Sequence, residues 1–98
     1  MVVTIFRSRL RPEHVEEYER LAPRMRALAE SMPGFVSCKT FVAADGERVS
    51  IEVFESPETH EAWRNHREHR NAQQLGREKF YSEFHIQVCR VEREYRMP

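Results

Sequence analysis

The sequence predicts an α+β protein with one antiparallel four-stranded sheet in the ferredoxin-like order β-α-β-β-α-β and both helices on one face. Three observations predict it. Runs rich in β-branched and aromatic residues at positions 2–10, 35–43, 48–55 and 80–93 read as strands. Amphipathic stretches separate the first run from the second and the third from the fourth. Asp45-Gly46 joins the second and third runs as a hairpin, because glycine accepts the positive φ such a turn demands. With short connections and right-handed crossovers, few other arrangements fit this order.

The elements follow in turn. Pro12 suits the first turn of a helix. Val15, Tyr18, Ala22, Met25, Ala29 and Met32 then recur at alternating spacings of three and four, and Leu21 and Leu28 widen the stripe. Pro23 lies inside this helix and is expected to kink or break it. Met32-Pro33-Gly34-Phe35 ends it, since proline cannot continue the helix and glycine opens a turn. Ser56 is an N-cap with Pro57 at the first helical position. The second helix runs to Ala72 or Leu75, with residues 66–69 as the place for a break and Gly76 as its stop.

The chain has 98 residues, which suits one domain spanning 1–98. Lys+Arg and Asp+Glu both number 16, and this balance argues against a dedicated nucleic-acid binder. No apolar run approaches the roughly 20 residues of a membrane helix. The N-terminus reads as a strand and not a signal peptide, so a cytoplasmic protein is expected. Cys38 and Cys89 lack CxxC spacing and sit in strand-like runs. They read as buried free thiols in a reducing compartment.

Each strand has two faces. Val3, Ile5, Val49, Ile51, Val53, Phe84, Ile86 and Val88 form an almost wholly apolar parity set, which assigns them to the helix-covered core. The other set mixes Val2, Thr4, Phe6, Ser8, Leu10, Arg48, Ser50, Glu52, Phe54, His85, Gln87, Cys89 and Val91. Arg48 and Glu52 could pair on it. An open face carrying Val2, Phe6, Phe54 and Val91 is more apolar than monomers usually expose. A second copy packed face to face removes it, giving a homodimeric α+β barrel whose tail, residues 93–98, reaches across.

At this point the chain resembles the antibiotic-biosynthesis-monooxygenase-like family of dimeric α+β-barrel proteins. The resemblance spans nearly the whole sequence. It rests on "MPGF", on "VSIEVFESPETHEAW", on "HREHRNAQQLGREKFY" and on the last strand "EFHIQV". Trp63, His69, Ala72, Gln73, Gly76, Phe80 and Tyr81 match the family's pattern of Trp, His, Ala-Gln, Gly and Phe-Tyr. The resemblance implies the fold firmly and the activity loosely, because one fold hosts many functions. Some members oxidise phenolic or quinol-type aromatics with O2 and neither metal nor flavin; others cleave haem; many have no assigned activity. The cofactor-free oxygenases use a helix-2 tryptophan, an amide residue one turn before it and an aromatic hydroxyl after it. Trp63 fits, while Thr59 stands at the amide position and His69 near the hydroxyl. Haem-degrading members need a strand-1 asparagine and a histidine ten residues after the tryptophan. Phe6 and Gln73 stand there instead, which disfavours haem degradation.

On a helical wheel Thr59, Ala62, Trp63, His66 and Gln73 share one arc, His69 lies at its edge and His60 points away. A break near residues 65–67 would bring His69 back in. Packing alone accounts for a buried tryptophan beside a hydrogen-bonded histidine. The sharper reading gives His66 or His69 the role of base toward a phenolic proton, since neutral imidazole has a suitable reference pKa of about 6.5. Trp63, Tyr81, Thr59, Gln73, Phe6 and His85 would then line the substrate. H-x-x-H lacks the further ligands a metal needs, so neither a metal nor another cofactor is expected. The sequence therefore supports a cofactor-independent monooxygenase for a small aromatic compound. The alternative is a non-catalytic small-ligand-binding or stress-related dimer.

Overall fold

A computed structural model describes all of residues 1–98. Its elements are β1 (Val2–Leu10), α1 (Val15–Ser31), β2 (Phe35–Val42), β3 (Arg48–Phe54), α2 (Pro57–Arg64), α3 (Arg67–Leu75) and β4 (Tyr81–Arg90). A 3-10 turn, Pro12–His14, leads into α1, and a π-turn, Gly76–Phe80, leads out of α3. The strands order as β2-β3-β1-β4, all neighbours antiparallel, which is the ferredoxin-like topology. The two edges, β2 and β4, are the strands next to the helical crossovers.

α1 runs through Pro23 without a break. The residue is exposed, so its ring points to water, and the lost hydrogen bond is the main cost. The second helical stretch does break. Asn65 N–H closes α2 on the Glu61 carbonyl, His66 N–H bonds the Trp63 carbonyl, and α3 restarts at Arg67. Gly76 does not stop α3 through an unusual backbone, because it stays right-handed helical at φ −57°. Its role is steric: a Cβ there would meet the Tyr81 ring at 2.7 Å.

On β1 and β3 the sheet faces are the reverse of the sequence expectation, whereas β4 keeps the expected sides. Register pairs Val2 with Phe54, Thr4 with Glu52, Phe6 with Ser50 and Ser8 with Arg48. This set faces the helices, and Val2, Ser8 and Phe54 are buried. Val3, Ile5, Val49, Ile51 and Val53 lie on the open face, where Ile51 is 38% exposed. On β4 the side is as expected and only the burial differs. Phe84, Ile86 and Val88 pair with Ser8, Phe6 and Thr4, so they point to the helix side. They are exposed there because α3 packs mainly on α1 and the π-turn, leaving this edge bare.

The polar members of the mixed set explain the reversal. Thr4 Oγ1 lies 3.1 Å from His60 Nε2, and Glu52 accepts the Trp63 indole N–H at 3.2 Å. Arg48 does not pair with Glu52; its guanidinium lies 5.4 Å over the Tyr18 ring. Each polar group finds its partner in the helix layer, so burial costs little. Cys38 falls on the helix side and Cys89 on the open side, both free and only half-buried.

The deepest packing joins Ala29 of α1, Phe54 of β3 and Trp63 of α2, with Leu28, Met32 and Phe35 against them. Gly34 makes this closeness possible. It has φ +81°, and a Cβ on it would lie 2.5 Å from the Thr59 side chain. Gly34→Ala should therefore cost more than the roughly 1–2 kcal/mol of a left-handed alanine, because Thr59 must also move. Urea denaturation of the variant beside the parent checks this.

Candidate functional site

The site forms where α2 ends. Pro57 and the Ser56–Thr59 capping box start α2 squarely: Ser56 Oγ accepts the Thr59 N–H and Thr59 Oγ1 accepts the Ser56 N–H, both at 3.1 Å. Trp63 then drops between α1 and the sheet, only 2% exposed. Its indole N–H points at Glu52 of β3. The break at residues 65–66 turns the chain back, and the His69 ring lands on the indole. The two rings are stacked, 4.0 Å between centroids and 9° from parallel. His66 sits at a slant to the same indole, 6.0 Å away.

The hydrogen bonds assign different jobs to the two histidines. His69 Nδ1 lies 3.1 Å from the Trp63 carbonyl, which can only accept, so Nδ1 carries the proton. The lone pair of neutral His69 is then on Nε2. That atom has no protein hydrogen-bond partner, and no buried polar side-chain atom in the molecule lacks one, so Nε2 keeps some exposure. His66 is the mirror case. Its Nδ1 accepts the Glu68 N–H at 3.2 Å as the N-cap of α3, so its acceptor nitrogen is already used.

The titrations follow from burial. Burial holds the His69 pKa below the ordinary imidazole value, helped by nearby His66 and His60 and opposed by the bond to the Trp63 carbonyl. Burial likewise lowers His60. Burial raises Glu52, only partly offset by the indole N–H, since no cation stands beside this carboxylate. The group therefore offers a neutral imidazole with a free lone pair against an electron-rich ring.

Of the residues the sequence singled out, Trp63, His66, His69 and Thr59 come together here. Gln73 lies one turn beyond His69 on α3 and is half-buried. The Thr59 hydroxyl is engaged in the helix cap. Phe6 and Tyr81 belong to a separate aromatic group with Tyr18, Phe80 and Phe84; the Phe6 and Tyr81 rings meet edge to face at 5.3 Å. Burial and the Tyr18 neighbour push the Tyr81 hydroxyl far above its usual range, which keeps it a neutral hydrogen-bonding group. His85 pairs with Arg7 on the open face and cannot join Trp63. His60 and Glu52 do join, although the wheel turned His60 away and the sequence put Glu52 on the uncovered face. No three His, Cys, Asp or Glu side chains converge in a metal-binding cluster. Gln73 presents an amide and not an imidazole on α3, and the Phe6 ring is packed among aromatics.

Two clefts lie apart from the Trp63–His69 stack, and neither is lined by its residues. One of about 140 Å³ lies between α1 and α3, lined by Leu21, Met25, Ala72 and Leu75 with the Arg24–Glu68 ion pair at 2.9 Å. The other, about 270 Å³, is polar and lies at the hairpin end beside Arg7, Glu47, Glu83 and His85. Trp63 itself fills the space around it.

A four-stranded antiparallel sheet in the order β2-β3-β1-β4 with its helices on one face defines a class of small α+β proteins. The model for the family described as antibiotic biosynthesis monooxygenase matches residues 1–75, and the chain belongs to that family. Among curated proteins it is 31% identical to the uncharacterized protein YqjZ of Bacillus subtilis (strain 168), over 89% of this chain and 76% of that one. Rv0793 from Mycobacterium tuberculosis shares the fold at a TM-score of 0.83, with 22% identity over 95% of this chain and 96% of its own. SnoaB, a cofactor-independent oxygenase from Streptomyces nogalater, shares it at a TM-score of 0.77, with 16% identity over 95% and 94%. The fold is thus one that includes cofactor-independent oxygenases. No helix is long and apolar enough to cross a membrane.

Two stability measurements check the site. His66→Ala should cost about 1 kcal/mol, the usual loss of an N-cap, in a chemical-denaturation experiment. For Glu52 the folded pKa lies above the unfolded one, so the folded state binds the extra proton. The stability this gives is fully present below the ordinary carboxylate range and is lost as pH rises through the folded pKa. Glu52→Gln should therefore gain stability relative to the parent as pH rises above the ordinary carboxylate range, as read from paired denaturation curves.

Proposed function

We propose that the protein is a homodimeric, cofactor-independent monooxygenase for a small phenol- or quinol-type aromatic, with His69 as the base. The single observation that carries this reading is the free Nε2 of His69, neutral near pH 7 and held rigidly on Trp63. Removing a phenolic proton makes the ring electron-rich enough to react with O2. The substrate supplies all the electrons: the ring CH2 of an anthrone becomes C=O, or a hydroquinone becomes its hydroxyquinone, and in either case one oxygen atom of O2 enters the product and the other leaves as water. Gln73, one turn beyond His69 on α3, would orient the ring.

The dimer rests on the open sheet face. Val3 pairs with Val53, Ile5 with Ile51, and Phe41 with Val49, which makes one continuous apolar field. A second copy would cover it in an isologous pair. The tail beyond β4 is extended and exposed, with Tyr95 82% accessible, and would meet the partner.

Oxygen uptake with a panel of hydroquinones and anthrones tests the activity. Turnover should rise with pH along a limb below the ordinary imidazole value, and His69→Gln should lower kcat/KM by about 100-fold or more. His66→Gln should leave that limb in place. One observation favours the second reading, a ligand-binding dimer without turnover: Thr59 offers no amide, and its hydroxyl is spent on the helix cap. Tight aromatic binding with no oxygen uptake would establish that reading instead. Light scattering should give a dimer for the parent and a monomer for Ile51→Glu; a monomeric parent refutes the interface.

A further inference from the structure

We propose that Glu52 is a positioning residue that sets the basicity of His69 through the Trp63 indole. The inference deepens the base role proposed above, and its test does not depend on turnover.

The three groups form one line across three elements. Glu52 Oε2 on β3 accepts the indole N–H of α2 at 3.2 Å, and the indole face carries the His69 imidazole of α3 at 4.0 Å and 9°. A carboxylate bound to an indole N–H pushes electron density into the ring. The ring face then becomes more negative, and a cation stacked on it is held more tightly. When His69 takes a proton, the positive charge appears on that face. Ionised Glu52 therefore favours the imidazolium, although it makes no direct bond to it.

The surroundings leave Glu52 in this role. No lysine, arginine or histidine forms an ion pair with it. Thr4 on β1 and Cys38 on β2 flank it in register, and neither carries charge at neutral pH. The charged or titratable groups that bear on His69 itself are His66 on the preceding turn and His60 on α2, both of which disfavour its proton. The Trp63 carbonyl favours the proton, and Glu52 would be the only negative charge linked to the stack. Burial that weakens the imidazole as a base is thus countered from the far side of the indole. The same arrangement pins the ring plane, because the N–H bond fixes the rotation of Trp63 on which His69 rests.

The experiment is an NMR titration of the intact protein. Trp63 is the only tryptophan, so its indole N–H signal is unambiguous. In the parent that signal should move along an acid titration displaced upward from the ordinary carboxylate range, and in Glu52→Gln this step should vanish. The His69 ring protons should titrate roughly half a pH unit lower in Glu52→Gln than in the parent, about a threefold change in proton affinity. Glu52→Asp should restore part of it. A folded Glu52→Gln protein whose His69 titrates unchanged overturns the proposal. Should Glu52→Gln fail to fold, Glu52→Asp takes its place: a His69 titration lowered relative to the parent supports the link, and an unchanged one overturns it. Loss of oxygen uptake bears only on the enzymatic reading, so the two can fail separately.

Discussion

Trp63 is the constraint on which the rest of the structure depends. Its side chain joins every layer at once: the helix α1 through Ala29, the sheet through Phe54 and Glu52, and the returning helix α3 through His69. Burying so large a ring gains several times what a small apolar side chain does, but only if its N–H finds an acceptor. Glu52 supplies that acceptor. An acid at the middle of a sheet would otherwise be a costly choice, and here the indole makes it tolerable. The helix break follows from the same ring. A continuous helix would carry His69 round to the edge, whereas the break at residues 65–66 folds it back onto the indole.

Much of the fold is legible in the sequence because its signals are local. The strands follow from β-branched runs, the hairpin from Asp45-Gly46, and α1 from spacings of three and four that survive an exposed proline. The faces are another matter. Thr4, Arg48 and Glu52 read as surface residues, and only the helix layer reveals that His60, Tyr18 and Trp63 satisfy them. The purely apolar set reads as core, yet on β1 and β3 it is the open face. A monomer-based rule of apolar inside misleads when a chain keeps its cleanest apolar surface uncovered. On β4 the pairing register puts Phe84, Ile86 and Val88 on the side opposite to Val3 and Ile5, and a slip of one residue reverses a whole strand.

The site was partly legible for a similar reason. Trp63 and the paired histidines stand out in composition and spacing. Their order on the wheel does not survive the break, since residues after it no longer share the phase of those before. Counting His66 and Gln73 with α2 pulls the apparent inner arc toward Ala62, which is exposed, and away from His60, which reaches Thr4. Glu52 could have been found only by asking which acceptor the single indole would use.

The role of the site turns on which histidine keeps a free lone pair. Nitrogen-15 NMR of the neutral rings reads this directly. The structure predicts that His69 carries its proton on Nδ1 and His66 on Nε2, because one faces a carbonyl and the other a backbone N–H. Opposite tautomers in the folded protein support His69 as the available base. A proton on Nε2 of His69, or the same tautomer on both rings, would contradict it.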